Sequence, residues 1–266
     1  MRPNKIRQIW AQGGAVYNGW ISLSNGFSAE LMANAGFDSV TIDQQHGLVY
    51  GESVIGLYQA ISTTDTVPMT RVPWLDPSAI MQALDAGAYG IICPMVNSVD
   101  DARAFVNYAS YPPMGGRSYG PIRAKVYGGD DYPAKANAEI VRMAMIETVE
   151  ALEHCEEIAK VEGVDALYIG PSDLSNSMGF VAGLDQSEPE VLKAIDRILA
   201  AARAAGKPCG IHNGTAAYAK NMVAKGMQFV SVGSDAIFIA QGAATVVSEL
   251  RDSAGGTGGG GAGSTY

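Results

Sequence analysis

The sequence predicts a (β/α)8 barrel, or TIM barrel, on three observations. Short, β-rich apolar runs alternate with alanine-rich amphipathic stretches along the chain. The runs number eight, within about 250 residues, which is the size of such a barrel. After the first run the chain reads Ser22-Leu23-Ser24-Asn25-Gly26. A doubly wound open sheet, the competing architecture, would place a Gly-x-Gly-x-x-Gly phosphate turn there.

The elements follow in order. A strand over residues 19–23 precedes a helix over 28–35 that stops at Gly36. The second strand, 39–42, leads to a helix over 52–62, and the third, 68–72, to a helix over 77–86. That third helix opens on Asp76-Pro77 and stops at Gly87, a polar cap and early proline at one end and a glycine at the other. Strand 90–94 precedes helix 99–109, capped by Ser98, and strand 142–146 precedes helix 148–161, which stops before Gly163. Strand 166–169 is followed by helix 189–205, opened by Ser187-Glu188-Pro189 and closed by Gly206. Strand 209–212 pairs with helix 215–224, ending near Gly226, and strand 229–232 with helix 235–250, opened by Ser234-Asp235. Two segments break the rhythm. Residues 111–137 form a long connection rich in Gly, Pro and Tyr, and ordered loops of that length are usually functional. The Gly-rich stretch 253–266 reads as a flexible tail, leaving residues 1–252 as one barrel domain.

Composition narrows the function. Eighteen basic against 27 acidic residues give a net charge of −9, which opposes binding to nucleic acid or anionic membranes. No apolar run approaches the ~18 residues of a membrane span, and no secretory signal pattern follows the N-terminus. Cys93, Cys155 and Cys209 are odd in number and widely spaced, so they read as buried free thiols of a cytoplasmic protein.

In a barrel, the C-terminal strand ends and the loops after them build the active site. Asp43-Gln44-Gln45-His46 follows the second strand, Arg71 lies in the third, Glu147 follows the fifth, and Gly170-Pro171-Ser172-Asp173 follows the sixth. Glu147 and Asp173 would repel each other on adjacent strand ends. A Mg²⁺ or Mn²⁺ ion would relieve that repulsion and fill its shell with water and the oxygens of a 2-oxo acid. Alternatively, Asp173 caps a turn and Glu147 starts a helix. Arg71 reads either as a clamp on a substrate carboxylate or enolate oxygen, or as half of a structural ion pair. His46, three residues after Asp43, is a candidate acid–base group held in one tautomer by that carboxylate, or a bystander. His154 reads as a mid-helix surface residue, His212 as a core or site residue, and Gly233-Ser234 as a weak phosphate-type turn. None of the eight lysines lies in a predicted strand or at its C-terminal end, so imine chemistry is not expected.

Taken in order, these segments resemble the HpcH/HpaI family of metal-dependent 2-oxo-acid aldolases. The resemblance also draws on Leu84-Asp85-Ala86-Gly87-Ala88, Pro94-Met95-Val96, Tyr111-Pro112-Pro113 and Gly116-Arg117-Ser118, and it runs roughly from Gly19 to Leu250. It implies that Glu147 and Asp173 bind Mg²⁺, Mn²⁺ or a similar ion such as Co²⁺, that pyruvate chelates it, and that Arg71 contacts the substrate oxygens. It implies that His46, oriented by Asp43, moves protons by way of a metal-bound water. Backbone groups of Gly170, Pro171, Ser172 and Asp173 would hold the pyruvate carboxylate. A hexamer, a trimer of dimers with exchanged C-terminal helices, would bring Asp85 in from a neighbouring subunit. The chain departs from the family at Gln44-Gln45, where Gly-Glu is common, and at Met145, where Gln is common.

The expected activity is therefore that of a class II aldolase, a carbon–carbon lyase joining pyruvate, as its enolate, to an aldehyde or cleaving the product. The alternatives are a metal-enolate lyase acting on an acyl-CoA thioester or phosphoenolpyruvate, and a catalytically silent barrel that binds a 2-oxo acid. A CoA ligand would need basic residues for its phosphates, and Arg117, Arg123 and Lys125 are the only cluster available.

Overall fold

In a computed structural model, which describes residues 1–253, every predicted strand forms. The expected tail lies outside the described residues, apart from Ser253 at the end of the last helix. Chain order is α1 (Lys5–Ala11), β1 (Val16–Ile21), α2 (Gly26–Asn34), β2 (Ser39–Asp43), α3 (Ser53–Ile61), β3 (Val67–Arg71), α4 (Pro77–Ala86) and β4 (Gly90–Cys93). There follow α5 (Val99–Ala109), α6 (Ile122–Gly128), α7 (Tyr132–Glu139), β5 (Val141–Ile146), α8 (Val149–Glu153), α9 (Cys155–Lys160) and β6 (Ala166–Ile169). The chain continues through α10 (Pro171–Ser177), α11 (Pro189–Ala204), β7 (Cys209–Asn213), α12 (Ala216–Lys225), β8 (Phe229–Ser234) and α13 (Asp235–Ser253).

The strands close into one parallel barrel, each paired with its neighbour in sequence and β8 with β1. Side chains at the cap positions act as the sequence predicts. Asp76 accepts the Ala79 N–H at 2.7 Å, and Ser98 and Asp101 form a reciprocal capping box. The helix-ending glycines Gly36, Gly87, Gly163, Gly206 and Gly226 all take positive φ.

Four features differ from expectation. β1 begins three residues before the predicted strand, because buried Asn18 finds partners inside the barrel: Ser39 and Thr41 donate to its Oδ1, and its Nδ2 donates to Ser231. The second half of the long connection 111–137 is helical, containing α6 and most of α7. The helix expected over 148–161 breaks at His154, whose exposed ring bonds to the Asn97 and Glu150 carbonyls. α1, α10 and the split of the site-forming β6 connection were not anticipated.

Candidate active site

At the C-terminal ends of the strands lies a cavity of about 250 Å³, reached by Trp20, His46, Arg71, Met145, Gly170, Pro171, Ser172, Asp173 and His212. Its walls are set by strand register. On one side, β2 and β3 align Asp43 with Arg71, so both side chains leave neighbouring strands on the same face. Arg71 donates from Nε and Nη2 to the two oxygens of Asp43 at 2.9 and 2.7 Å, a bidentate and largely buried pair. Nη1 has no partner among the described residues, and the guanidinium lies 5.0 Å from the centre of the Trp20 ring. Burial alone would raise the Asp43 pKa, but the hydrogen bonds and charge of Arg71 outweigh it and hold the carboxyl below its usual range. Both readings of Arg71 are therefore met in part: it has an ion-pair partner, and it lines the cavity.

The expected Asp43–His46 arrangement needs correction. Asp43 touches His46 at the backbone N–H, 3.3 Å away, and also accepts the Gln45 N–H at 3.1 Å. The spacing that suggested a ring-holding dyad instead makes an Asx-type turn, and the carboxylate is turned onto Arg71. The His46 ring stands exposed at the cavity mouth.

The opposite wall comes from β5 and β6. Ile146 and Ile169 are register partners, which sets Glu147 beside Gly170. Glu147 is buried: Oε1 accepts the Met95 N–H at 2.8 Å, while Oε2 has no partner among the described residues. Met95 directs that N–H from a left-handed backbone, φ 56°, a conformation that costs a non-glycine residue energy and collects at functional sites. Burial pushes the Glu147 pKa up to about 7; the Met95 N–H and Arg71 pull it down, and the nearby Asp173 charge adds to the rise. A Cβ on Gly170 would lie 2.6 Å from Glu147 Oε2 and 2.5 Å from Met145 Cε, so any larger residue there would require the ends of both side chains to move. Asp173 sits exposed in the first turn of α10, where it opens onto the cavity.

A buried carboxylate oxygen with no partner, next to a second carboxylate, suits a hard divalent cation. Among the described residues no group of three or more His, Cys, Asp and Glu side chains is placed to hold a metal. The donor set thus fits an ion that takes its remaining ligands from water and substrate oxygens, and does not fit a His/Cys site.

His212 completes the lining from β7. Its Nδ1 lies 3.2 Å from the Tyr168 hydroxyl, and its ring meets Trp20 edge-on at 4.5 Å. Burial and the Arg71 charge lower its pKa to about 4, leaving the ring neutral. A strand-end position was the only sequence signal for it, and that signal does not separate core from site.

Other expected residues lie elsewhere. Asp85 opens on a separate cavity, together with Gln44, Tyr50 and Arg123, and binds Arg117 Nη2 at 2.6 Å. The basic cluster is not a free groove: Arg117 is buried against Asp85 and Tyr132, and Arg123 donates to the Ala86 carbonyl and Ser62. Gly233 and Ser234 lie at the end of β8, where Ser234 caps α13 through the Ile237 N–H. Cys93, Cys155 and Cys209 are buried and free, as expected.

A closed (β/α)8 barrel with its reactive side chains gathered at the C-terminal strand ends has the architecture of a TIM-barrel enzyme. The chain belongs to the HpcH/HpaI aldolase/citrate lyase family, which it matches over residues 17–241. It is 39% identical over 248 residues to a hydroxypyruvate/pyruvate aldolase of Rhizorhabdus wittichii, covering 93% of this chain and 99% of that one. It is 41% identical over 227 residues to a 4-hydroxy-2-oxo-heptane-1,7-dioate aldolase of Salmonella dublin, covering 84% and 86%. A solved family structure from Burkholderia cenocepacia superposes with a TM-score of 0.87 at 31% identity, over 93% of this chain and 99% of the other. The resemblance read from the strand-end residues is borne out, as is the barrel. No helix among the described residues is long and apolar enough to cross a membrane.

Proposed function

We propose that the chain is a metal-dependent class II aldolase that joins pyruvate, as its enolate, to an aldehyde or cleaves the corresponding 4-hydroxy-2-oxo acid. The observation that carries this reading is the buried, unpartnered Oε2 of Glu147, close enough to feel the charges of Asp173 and Arg71, which line the cavity. The names of the aldolase relatives support the same chemistry.

Glu147 and Asp173 would hold a Mg²⁺ or Mn²⁺ ion, with Co²⁺ as a third option, and the bound ion supplies Lewis-acid polarisation of the keto oxygen. Arg71, fixed by Asp43, keeps Nη1 for the substrate oxygens and stabilises negative charge as it develops there. His46, exposed and lining the cavity, would carry the C3 proton between the cavity and solvent. Gly170 and Pro171 bring the backbone close to the cavity, and the N–H groups of Ser172 and Asp173, in the first turn of α10, have no intrahelical partner. They would take the substrate carboxylate. Met145 gives the cavity an apolar wall where the family often has Gln.

The assembly we propose is the family's cytoplasmic hexamer. α13 supports it: Phe238, Ile239, Val246, Val247 and Leu250 are all exposed on one helix, an apolar surface that a neighbouring subunit would cover. Asp85 would then act across an interface rather than within its own chain.

The test is hydrogen–deuterium exchange at C3 of pyruvate, followed by NMR with Mn²⁺ or Mg²⁺ and with EDTA. Metal-dependent exchange that vanishes in Glu147→Ala and in Asp173→Ala is the expected result. Absence of exchange under every metal, with pyruvate still bound, would favour the silent binding barrel.

A further inference from the structure

Inside the barrel a chain of hydrogen bonds climbs from the middle of the strands to the cavity. Asn18 Oδ1 accepts from Ser39 and Thr41, so its Nδ2 is left to donate to Ser231 Oγ at 2.9 Å. Tyr168 donates to the same Ser231 oxygen at 2.8 Å. The Tyr168 ring can cross there because β7 has glycine at the register position opposite it: a Cβ on Gly210 would lie 2.9 Å from Tyr168 Cδ2.

With its single proton given to Ser231, the Tyr168 hydroxyl can only accept from His212 Nδ1, 3.2 Å away. The proton of the neutral imidazole is therefore on Nδ1, and Nε2 carries a lone pair. Nε2 has no partner among the described residues and is not sealed from the cavity the ring lines. Trp20 braces the ring edge-on, and Leu184 and Ile237 are among the residues that line the same cavity.

An unpartnered lone pair on a ring that lines the cavity is matched by a ligand that brings a donor. The carboxylate and keto oxygens of a 2-oxo acid are acceptors and cannot supply one, whereas a hydroxyl can. We propose that His212 Nε2 accepts a hydrogen bond from a substrate hydroxyl on the carbon next to the reacting carbonyl, making His212 a specificity-determining residue for hydroxylated substrates. Such a substrate is either a 3-hydroxy-2-oxo acid as donor or a 2-hydroxyaldehyde as acceptor. The inference rests on the aldolase reading above.

The test compares kcat/KM within two matched pairs: hydroxypyruvate against pyruvate with one aldehyde, and glycolaldehyde against acetaldehyde with one donor. Wild type should favour the hydroxylated member of one pair by roughly fivefold or more, and the pair that responds identifies the source of the hydroxyl. In His212→Leu that ratio should fall to about one; His212→Gln, which places an amide near the Nε2 position, should keep part of it. No preference in wild type, or a ratio unchanged in His212→Leu, overturns the proposal; an equal loss on all substrates would point instead to the hydroxyl common to every aldol product. Failure of wild type to turn over any pair with Mg²⁺ or Mn²⁺ sinks the aldolase reading itself. Nitrogen-15 NMR of the Mg²⁺-loaded protein then decides the inference alone, and with three histidines in the chain the assignment is tractable. The expected result is the Nδ1–H tautomer at His212, with an Nε2 resonance moved by hydroxypyruvate or by glycolaldehyde, and by neither pyruvate nor acetaldehyde. An Nε2–H tautomer, or no response, overturns it.

Discussion

At Glu147 the barrel closes around a carboxylate with one oxygen bonded to Met95 and the other bare, and its titration follows from that. Below the ordinary 4.5 the carboxyl is protonated in folded and unfolded chains alike. Between there and about 7 the folded chain alone keeps its proton, so this residue's contribution falls as pH rises through that window and is unfavourable above it. Metal-free Glu147→Gln should therefore be more stable than wild type near pH 8, by about 1–3 kcal/mol, with little difference near pH 4; thermal unfolding at the two pH values checks this. The same titration makes Mn²⁺ affinity in wild type weaken as pH falls below about 7, which a calorimetric titration series would show. Met95 offers a second test at this scale. Met95→Gly keeps the N–H that Glu147 uses and removes the cost of a left-handed methionine, so stability should stay within about 1 kcal/mol and proton exchange should survive. The strand-end positions of Asp43, Arg71, Glu147 and Asp173 were legible because the strand pattern places them; taken one at a time each also had a structural reading, and only their arrangement in order pointed to a site. The direction of Asp43 was not legible, because one carboxylate had two neighbours within reach, and a bidentate guanidinium outcompetes a ring nitrogen. Nothing in the residue type of Met95 marks its backbone.

The strands were readable because buried parallel strands are continuous apolar runs with glycine or polar punctuation. Where that pattern fails, so does the reading. Asn18 is a polar residue inside the barrel, bonded there to Ser39 of β2, and it hides the start of β1. α10 spans seven residues of which four are Ser or Asn, too short and too polar to show a helical period. In the long connection, Pro133 at the start of α7 and the glycines beside α6 disguise two helices as loop. At this scale Gly210→Ala is informative. The new Cβ would lie 2.9 Å from Tyr168 Cδ2, 3.0 Å from the Phe229 carbonyl oxygen and 3.1 Å from Phe229 Cβ, and the backbone of β8 cannot step aside cheaply. The expected loss is about 1–3 kcal/mol, measured by urea unfolding.

For the molecule as a whole, the unresolved balance is on the outside. The core is continuous around the ring, yet α13 carries Ile239, 60% exposed, and Leu250, 67% exposed, into solvent. Phe27 and Leu31 of α2 stand exposed as well, on the cavity they share with Phe238 and Ile239. Replacing Ile239 and Leu250 together by Asp should lower the sedimentation coefficient toward that of one chain while the far-ultraviolet spectrum of the barrel persists. An unchanged assembly would show that α13 is not the contact. Sequence patterning finds the helix but not what covers its apolar residues, since periodicity reports only which face is apolar.

The crowding at Gly170 has a consequence in the currency of codons. Every glycine codon is one base from an alanine codon, so a single replacement event could add a methyl group that displaces the carboxylate end of Glu147 and the end of Met145. The descendant would keep Arg71, Asp43 and the pocket they line, and it would lose the carboxylate geometry on the opposite wall. On the mechanism proposed above, one mutational step would then separate binding of the small anion from its turnover.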